Sequence, residues 1–239
     1  MKTCVIFNPT ARGDKARRFQ AFLEKMAKDC SFKPTTGPGV ARDLAREAVE
    51  EGFETIVAAG GDGTVNEVLN GIGDAKDGFA RARLGILPLG TVNVFAKELR
   101  IPEKLEAAWA TIVQGKERKI DLPIAEITRD GKNERRYFAQ LAGAGLDAQA
   151  IELVDWETKR RFGQLAYVYA GVKALFRPHP MIEARSGADT VQGELVLIGN
   201  GKYYGGRVPM FPDARLDDGK LDVCVFPRVP PSPFEAPSL

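Results

Sequence analysis

Two periods alternate along the first half of the chain. Residues 3–7 (TCVIF) form a short β-branched and aromatic run that stops at Asn8-Pro9. Beyond it Ala16, Phe19, Phe22, Leu23 and Met26 fall on one helical face, and Ala41, Leu44, Ala45 and Ala48 repeat that spacing, which predicts two amphipathic helices. Residues 55–59 (TIVAA) and 84–89 (LGILPL) read as further strands, with a weaker one at 32–35. Such alternation predicts an α/β N-terminal domain with a mainly parallel sheet and helices on its faces.

From about Asp121 the rhythm changes. Short strand candidates follow at residues 122–127, 136–141, 182–185, 194–198 and 221–226, punctuated by glycine-rich turns, and one helix of good length is visible at 159–176. This predicts an antiparallel, β-sandwich-like C-terminal domain carrying one helix. Residues 227–239 (PRVPPSPFEAPSL) hold five prolines and read as an extended or disordered tail, because proline cannot pair in a central strand. The pattern thus divides the chain into residues 1–120, 121–226 and 227–239.

Composition narrows the functions open to such a chain. At 44% apolar and 28% charged over 239 residues, it has the make-up of an ordinary globular protein with a sizeable core. With 34 basic against 32 acidic residues, the formal charge of +2 supplies no global field for nucleic acid, so any anion site is local. Cys4, Cys30 and Cys224 lie far apart, Cys4 and Cys224 in apolar runs, as suits small hydrophobes in a reducing compartment. The start, MKTCVIFNP, has the wrong length for a signal peptide, and no stretch approaches the roughly 18 apolar residues that span a bilayer. The expectation is a cytoplasmic protein without a transmembrane segment, meeting lipid only from the surface.

The chemistry concentrates in AAGGDGTVNEVLNG, residues 58–71. Gly60, Gly61 and Gly63 surround Asp62 at the carboxyl end of a predicted strand, where open α/β sheets bind ligands. Glycines there permit positive φ and close backbone approach, so that N–H groups face phosphate oxygens. A helix starting near Thr64 adds its positive end. Thr64 and Glu67 also have the spacing of a capping box, which accounts for those two residues but not for three glycines around an aspartate. A carboxylate among phosphates repels them unless a cation lies between, so Asp62 points to Mg2+. PLGT, residues 88–91, is a second glycine turn at a strand end. Its Thr91 suits either a phosphate or the N-cap of a helix over residues 93–99.

GGDGTVNEVLNG followed by LPLGTVNVFAKEL (residues 87–99) resembles the diacylglycerol kinase catalytic domain family, which includes bacterial lipid kinases and sphingosine kinases. The resemblance continues through FNPTARG, KIDL, AGAGLDA, RFGQLAYVYAGVKAL, NGKYYGG and PDARLDDGKLDV, in order along the chain. GGDGT alone is shared with NAD kinases; the PLGT-x-N element separates the two, and no TPTGSTAY-like stretch is present. The resemblance implies a two-domain kinase, with ATP in the first domain and a lipid hydroxyl entering the cleft between domains. By position the implied ATP contacts are Asn8, Thr10, Thr35, Gly60, Gly61, Asp62, Gly63, Thr64, Val65, Asn66, Glu67, Gly90 and Thr91. Asp62 and Asp121 match carboxylates that arrange Mg2+ near the transferred phosphate, although Asp121 also reads as a strand-end aspartate making a turn. RLDDGK resembles a second Mg2+ site, with the carboxylate of Asp218 and the main-chain carbonyls of Arg215 and Lys220, and Asp-Asp-Gly is equally a hairpin turn.

Two departures qualify the resemblance. Family members continue beyond the segment matching DGKLDV and end in an Asp-Gly-Glu element whose glutamate is the general base; the triplet is absent here. The chain therefore reads as shortened, with no general base found and an exposed sheet edge expected. Val94 stands where many relatives carry aspartate. On the lipid side, Phe162, Leu165, Ala166, Tyr169 and Val172 share one side of the predicted 159–176 helix, and Lys159, Arg160 and Arg161 at its start suit anionic headgroups. The same features fit core packing and a solvated face. His179, between prolines, reads as a loop residue. The expected function is an ATP- and Mg2+-dependent lipid kinase acting at a membrane surface, with no nucleic-acid partner and a homodimer left open. The alternatives are a NAD-kinase-like enzyme and a nucleotide- or lipid-binding protein that has lost catalysis.

Overall fold

The computed structural model describes residues 2–7, 19, 21–23, 30–145 and 181–227. Strands β1 (Thr3–Phe7), β2 (Cys30–Pro34), β3 (Thr55–Gly60) and β4 (Arg83–Pro88) form a parallel sheet in the order β2-β1-β3-β4. The inner strands β1 and β3 are buried almost throughout, which is why TCVIF and TIVAAG are unbroken runs rather than alternating ones. The weak strand expected at 32–35 is the edge strand β2, half-buried along most of its length.

Helices α1 (Val40–Glu50), α2 (Asp62–Asp74), α3 (Gly78–Arg81), α4 (Val94–Glu98) and α5 (Leu105–Gln114) accompany the sheet. One core packs Ile6, Ile56 and Ala58 against Ala41, Ala45 and Ala48 of α1 and Val65, Val68 and Ile72 of α2. The other packs Val5, Val57 and Leu87 against Phe19, Phe22 and Ala108. Phe19 and residues 21–23 are helical, in keeping with the first predicted helix. Helix α5 escapes the sequence pattern because its start at Lys104 has no side-chain cap and LEAAWATIVQ lacks a clean apolar stripe. Where α1 and α2 cross, a Cβ on Gly71 would lie 2.1 Å from the Arg42 carbonyl oxygen, so the helices meet at the closeness only glycine allows.

The C-terminal domain is antiparallel. Strands β7 (Leu141–Gly145), β10 (Leu195–Gly199) and β13 (Asp222–Phe226) form a sheet in the order β13-β10-β7. Among the described residues three two-stranded ribbons accompany it: β5 (Ile124–Arg129) with β6 (Lys132–Tyr137), β8 (Ile182–Ser186) with β9 (Asp189–Gly193), and β11 (Tyr203–Tyr204) with β12 (Val208–Pro209). The β5–β6 turn has Asp130 and Gly131 both at positive φ, 52° and 72°, as a tight hairpin requires. The run expected at 136–141 is split between β6 and β7. Its break follows from competing partners: Tyr137 gives its backbone to Asn70, while the Gln140 carbonyl accepts the amides of Asn200 and Gly201. Strand β9, DTVQG, was not expected, because its residues are exposed and polar apart from Val191 and Gly193. The helix expected at 159–176 and the tail beyond residue 227 lie outside the described residues.

Asn70 joins the two domains. It is 1% exposed, donates to the Tyr137 carbonyl at 2.9 Å and accepts the Tyr137 amide at 2.8 Å. Beside it the Phe79 and Tyr137 rings meet edge to face at 5.3 Å. Among the described residues no helix is long and apolar enough to cross a membrane. Cys4 is buried, and that burial pushes its thiol up to about 11. Cys4 should therefore resist alkylation at neutral pH until the chain unfolds, as mass spectrometry of a labelling time course would show. Asn70→Ala should lower the unfolding free energy in urea by about 2 kcal/mol, because it strands two part-buried backbone groups of Tyr137.

Candidate phosphate-binding site

Strand β3 delivers the chain to Gly60, and α2 begins at Asp62, two residues earlier than Thr64. Val65 is the first residue of the helix to donate backward, to the Gly61 carbonyl at 3.1 Å. The amides of Asp62, Gly63 and Thr64 are thus the open donors of a helix N-terminus, and no side chain caps them. This is the arrangement that binds phosphate oxygens.

Gly60 and Gly90 are needed here for space rather than for φ. None of Gly60, Gly61, Gly63 or Gly90 is among the positive-φ residues, contrary to one of the two reasons offered from sequence. A Cβ on Gly60 would lie 2.4 Å from Thr64 Oγ1, and one on Gly90 would lie 2.4 Å from Gly61 Cα. The β3–α2 turn and the β4–α4 turn therefore touch backbone to backbone. The Gly60 carbonyl accepts the amides of Leu89 at 3.0 Å and Gly90 at 3.2 Å, which locks the second turn onto the first.

Asp62 is half-buried at the first position of α2, and its Oδ1 accepts the Phe95 amide of α4 at 3.2 Å. That contact replaces the expected Thr91 cap. Asn93 instead precedes α4 in left-handed backbone (φ 53°), and its side-chain amide donates to the Gly90 carbonyl at 2.7 Å. Thr91 is exposed beside it. The capping box expected from Thr64 and Glu67 does not form. Glu67 accepts the amides of Gly39 at 3.0 Å and Ala41 at 3.1 Å, and so caps α1 rather than its own helix. The tertiary packing of α1 on α2 places those two orphan amides nearer to Glu67 than its own helix start.

The remaining implied contacts divide. Asn66 and Gly63 are exposed beside the open amides, and Thr64 is half-buried against Gly60. Thr35 is buried just after β2, its amide donating to the Phe7 carbonyl at 2.8 Å. Val65 is a correction: its side chain is in the core and its amide is spent on Gly61. Asn8 and Thr10 lie outside the described residues.

Asp121 forms a second cluster. Its amide donates to the Leu216 carbonyl at 2.6 Å, and its Oδ2 accepts the Gly219 amide at 2.6 Å. It therefore holds a distant loop instead of making a local turn. That loop carries Arg215, Asp218 and Lys220, all exposed; Arg215 pairs with Asp217, and Asp218 accepts the Lys220 amide at 3.1 Å. Among the described residues no three His, Cys, Asp or Glu side chains gather as a metal cluster.

Buried amides, absent from the sequence-based expectations, link the clusters. At the far end of α4, Glu98 Oε2 accepts the amides of Lys202 and Tyr203 and the side-chain amide of Gln140. The Gln140 carbonyl accepts the Asn200 amide, and Asn200, 1% exposed, donates from its side chain to the carbonyls of Asp121 and Ala139. A continuous relay runs from Asp62 through α4, Gln140 and Asn200 to Asp121. Only Asn93 and Asn200, inside or beside the glycine motifs, carried any signal in sequence.

Similarity to known proteins agrees with this architecture. The diacylglycerol kinase catalytic domain family matches residues 2–124, and the YegS C-terminal NAD kinase beta sandwich-like domain family matches residues 140–233. A diacylglycerol kinase of Bacillus subtilis (strain 168) is 33% identical over 232 residues, covering 94% of this chain and 73% of that protein. One from Staphylococcus aureus (strain bovine RF122 / ET3-1) is also 33% identical, over 231 residues, with 94% and 70% covered. A crystal structure of a diacylglycerol kinase from Bacillus anthracis str. Sterne superimposes with a TM-score of 0.68 at 26% identity, over 94% of this chain and 73% of that one. The chain belongs to the diacylglycerol kinase catalytic domain family.

Gly90→Ala should cost about 1–3 kcal/mol of stability by forcing the two turns apart. Urea unfolding, with Gly63→Ala as the control that meets open space, measures the difference.

Proposed function

We propose that the chain is an ATP-dependent lipid kinase, transferring the γ-phosphoryl group to the hydroxyl of a lipid such as diacylglycerol from the cytoplasmic face of a membrane. The observation that carries this reading is the bare N-terminus of α2, with three uncapped amides walled by Gly90, in a chain of this family. On this reading residues 1–120 hold the nucleotide and residues 121–226 help enclose the acceptor.

The work asked of the protein is alignment and charge neutralisation. Asp62, Gly63 and Thr64 donate amides to phosphate oxygens, with Asn66 and Thr91 exposed beside them. Glu67 contributes by fixing α1 to α2, a supporting role rather than a contact with nucleotide. Gly60 and Gly90 contribute by letting the two turns close on each other and on Thr64. Asp62 Oδ2 and Asp121 Oδ1 have no hydrogen-bond partner among the described residues, and such hard, half-exposed oxygens fit Mg2+ through water. When bound there, Mg2+ supplies neutralisation of the transferred phosphoryl group. The Asp218 loop, with the carbonyls of Arg215 and Lys220, would hold a second ion. The relay through Glu98, Gln140 and Asn200 keeps Asp121 in a fixed relation to Asp62.

A second reading, a NAD-kinase-like enzyme, is favoured by the C-terminal family match alone. Transfer of labelled γ-phosphate from ATP to diacylglycerol, a sphingoid base and NAD separates the two. Labelled lipid is expected, with the rate falling about a hundredfold or more in Asp62→Ala. Label in NAD instead would replace the lipid reading. A folded chain that binds ATP·Mg2+ and labels nothing would make it a binding protein.

A further inference from the structure

Helix α4 is mounted between two residues in left-handed backbone. Asn93 leads into it at φ 53°, and Arg100 follows its last turn at φ 56°. Residues other than glycine are uncommon in that region and persist where surrounding contacts hold them. The Asn93 side-chain amide donates to the Gly90 carbonyl at 2.7 Å, while its buried Oδ1 has no hydrogen-bond partner among the described residues. Arg100 is held by its own amide on the Lys97 carbonyl at 3.0 Å and by the Ile101 amide on the Ala96 carbonyl at 2.8 Å. Between these mounts the helix is five residues long and packs into the core through Phe95 and Ala96.

A carboxylate grips each end of this short helix. At its start the Phe95 amide donates to Asp62 Oδ1 at 3.2 Å. At its end Glu98 Oε2 accepts the amides of Lys202 at 2.8 Å and Tyr203 at 3.2 Å, together with the side-chain amide of Gln140 at 3.0 Å. That Gln140 amide also donates to the Tyr203 carbonyl at 3.0 Å, so the entry to β11 is tied twice. Hydrogen bonds to an ionised acceptor are about twice as strong as neutral ones. The hairpin tip reaches the same place: a Cβ on Gly206 would lie 3.8 Å from Val92 Cγ1, in the turn that leads into α4.

We propose that α4 is a lever that couples the hold of Asp62 on the Phe95 amide to the order of residues 200–203, with Glu98 as the positioning residue at its far end. A packed and hydrogen-bonded element whose two ends serve different domains is a physical carrier of coupling. Left-handed residues at both ends let it turn about Phe95 and Ala96 without unwinding, as hinge residues do. The coupling is reciprocal, so an ordered loop at 200–203 also steadies Asp62. Helix α4 and the β11–β12 hairpin are walls of a cleft of about 280 Å³ lined in part by Lys97, Arg100 and Arg207, and the lever sets its width. Its bearing on catalysis rests on the kinase reading, in which Asp62 faces Mg2+.

Amide hydrogen exchange of the whole chain, followed by NMR at Lys202 and Tyr203 through a double-mutant cycle, tests the lever. Asp62→Ala should speed exchange at both amides about tenfold or more, although neither bonds to residue 62. The Tyr137 amide, held by Asn70, should keep its rate to within about twofold, which separates coupling from general loosening. Asp62→Asn retains an acceptor for Phe95 and should bring Lys202 and Tyr203 back to within about twofold of the parent chain. In Glu98→Gln, which conserves size and removes the charged acceptor, adding Asp62→Ala should change either rate by less than about twofold. Melting temperatures verify that each variant folds. Unchanged exchange in Asp62→Ala, full acceleration in Asp62→Asn, or the same acceleration with and without Glu98→Gln would overturn the lever. ATP·Mg2+, titrated separately, tests the kinase reading: a chain that does not bind it loses that reading and not the lever, because the cycle uses no ligand.

Discussion

The contact between Gly61 and Gly90 sets the geometry of everything around it. Two strand-to-helix turns, distant in sequence, approach until a single Cβ on Gly90 would fall 2.4 Å from Gly61 Cα. At that separation the Gly60 carbonyl reaches the amides of both Leu89 and Gly90. The same closeness lets Asp62 cap α4 through Phe95, while Asn93 holds the turn from the other side. The open amides of α2 consequently face a bare, rigid wall. Rigidity matters because donors held in place need no rearrangement when an anion arrives.

From this centre, order spreads through amide side chains rather than through ion pairs. Asn70, Gln140 and Asn200 each bond to backbone groups distant in sequence, and Asn70 and Asn200 are 1% exposed. Neutral amides pay no ionic desolvation penalty in such places, yet losing one leaves buried backbone groups unsatisfied. The outcome is a two-domain body whose junction is directional and hard to slide. Exposed ion pairs such as Arg46–Asp43 and Arg215–Asp217 contribute little by comparison.

The parallel sheet was legible because β1 and β3, its inner strands, lie between two helical layers and are buried almost throughout. The glycine turns were legible because so many small residues around an aspartate have few structural uses. Less visible were α5, which begins without a side-chain cap, and β9, whose residues mostly face solvent. The helix caps expected from Thr64, Glu67 and Thr91 fail to form for one reason. Capping rules assume that a side chain serves its own helix, whereas here Glu67 serves α1 and Asp62 serves α4.

Local sequence by itself determined the strands of the parallel sheet and the helices with a clean apolar face, where the bare turns fall and which family the chain resembles, since periodicity, glycine and motif order are properties of neighbouring residues. Tertiary structure alone decided that Gly60 and Gly90 serve closeness rather than unusual φ, that Asp121 grips the loop of residues 216–219, and that Lys97, Arg100 and Arg207 share a cleft. Each of those facts concerns residues brought together only when the sheet, the helices and the second domain have packed. Such contacts leave no periodic trace along the chain, because their partners are set by the closing of long loops.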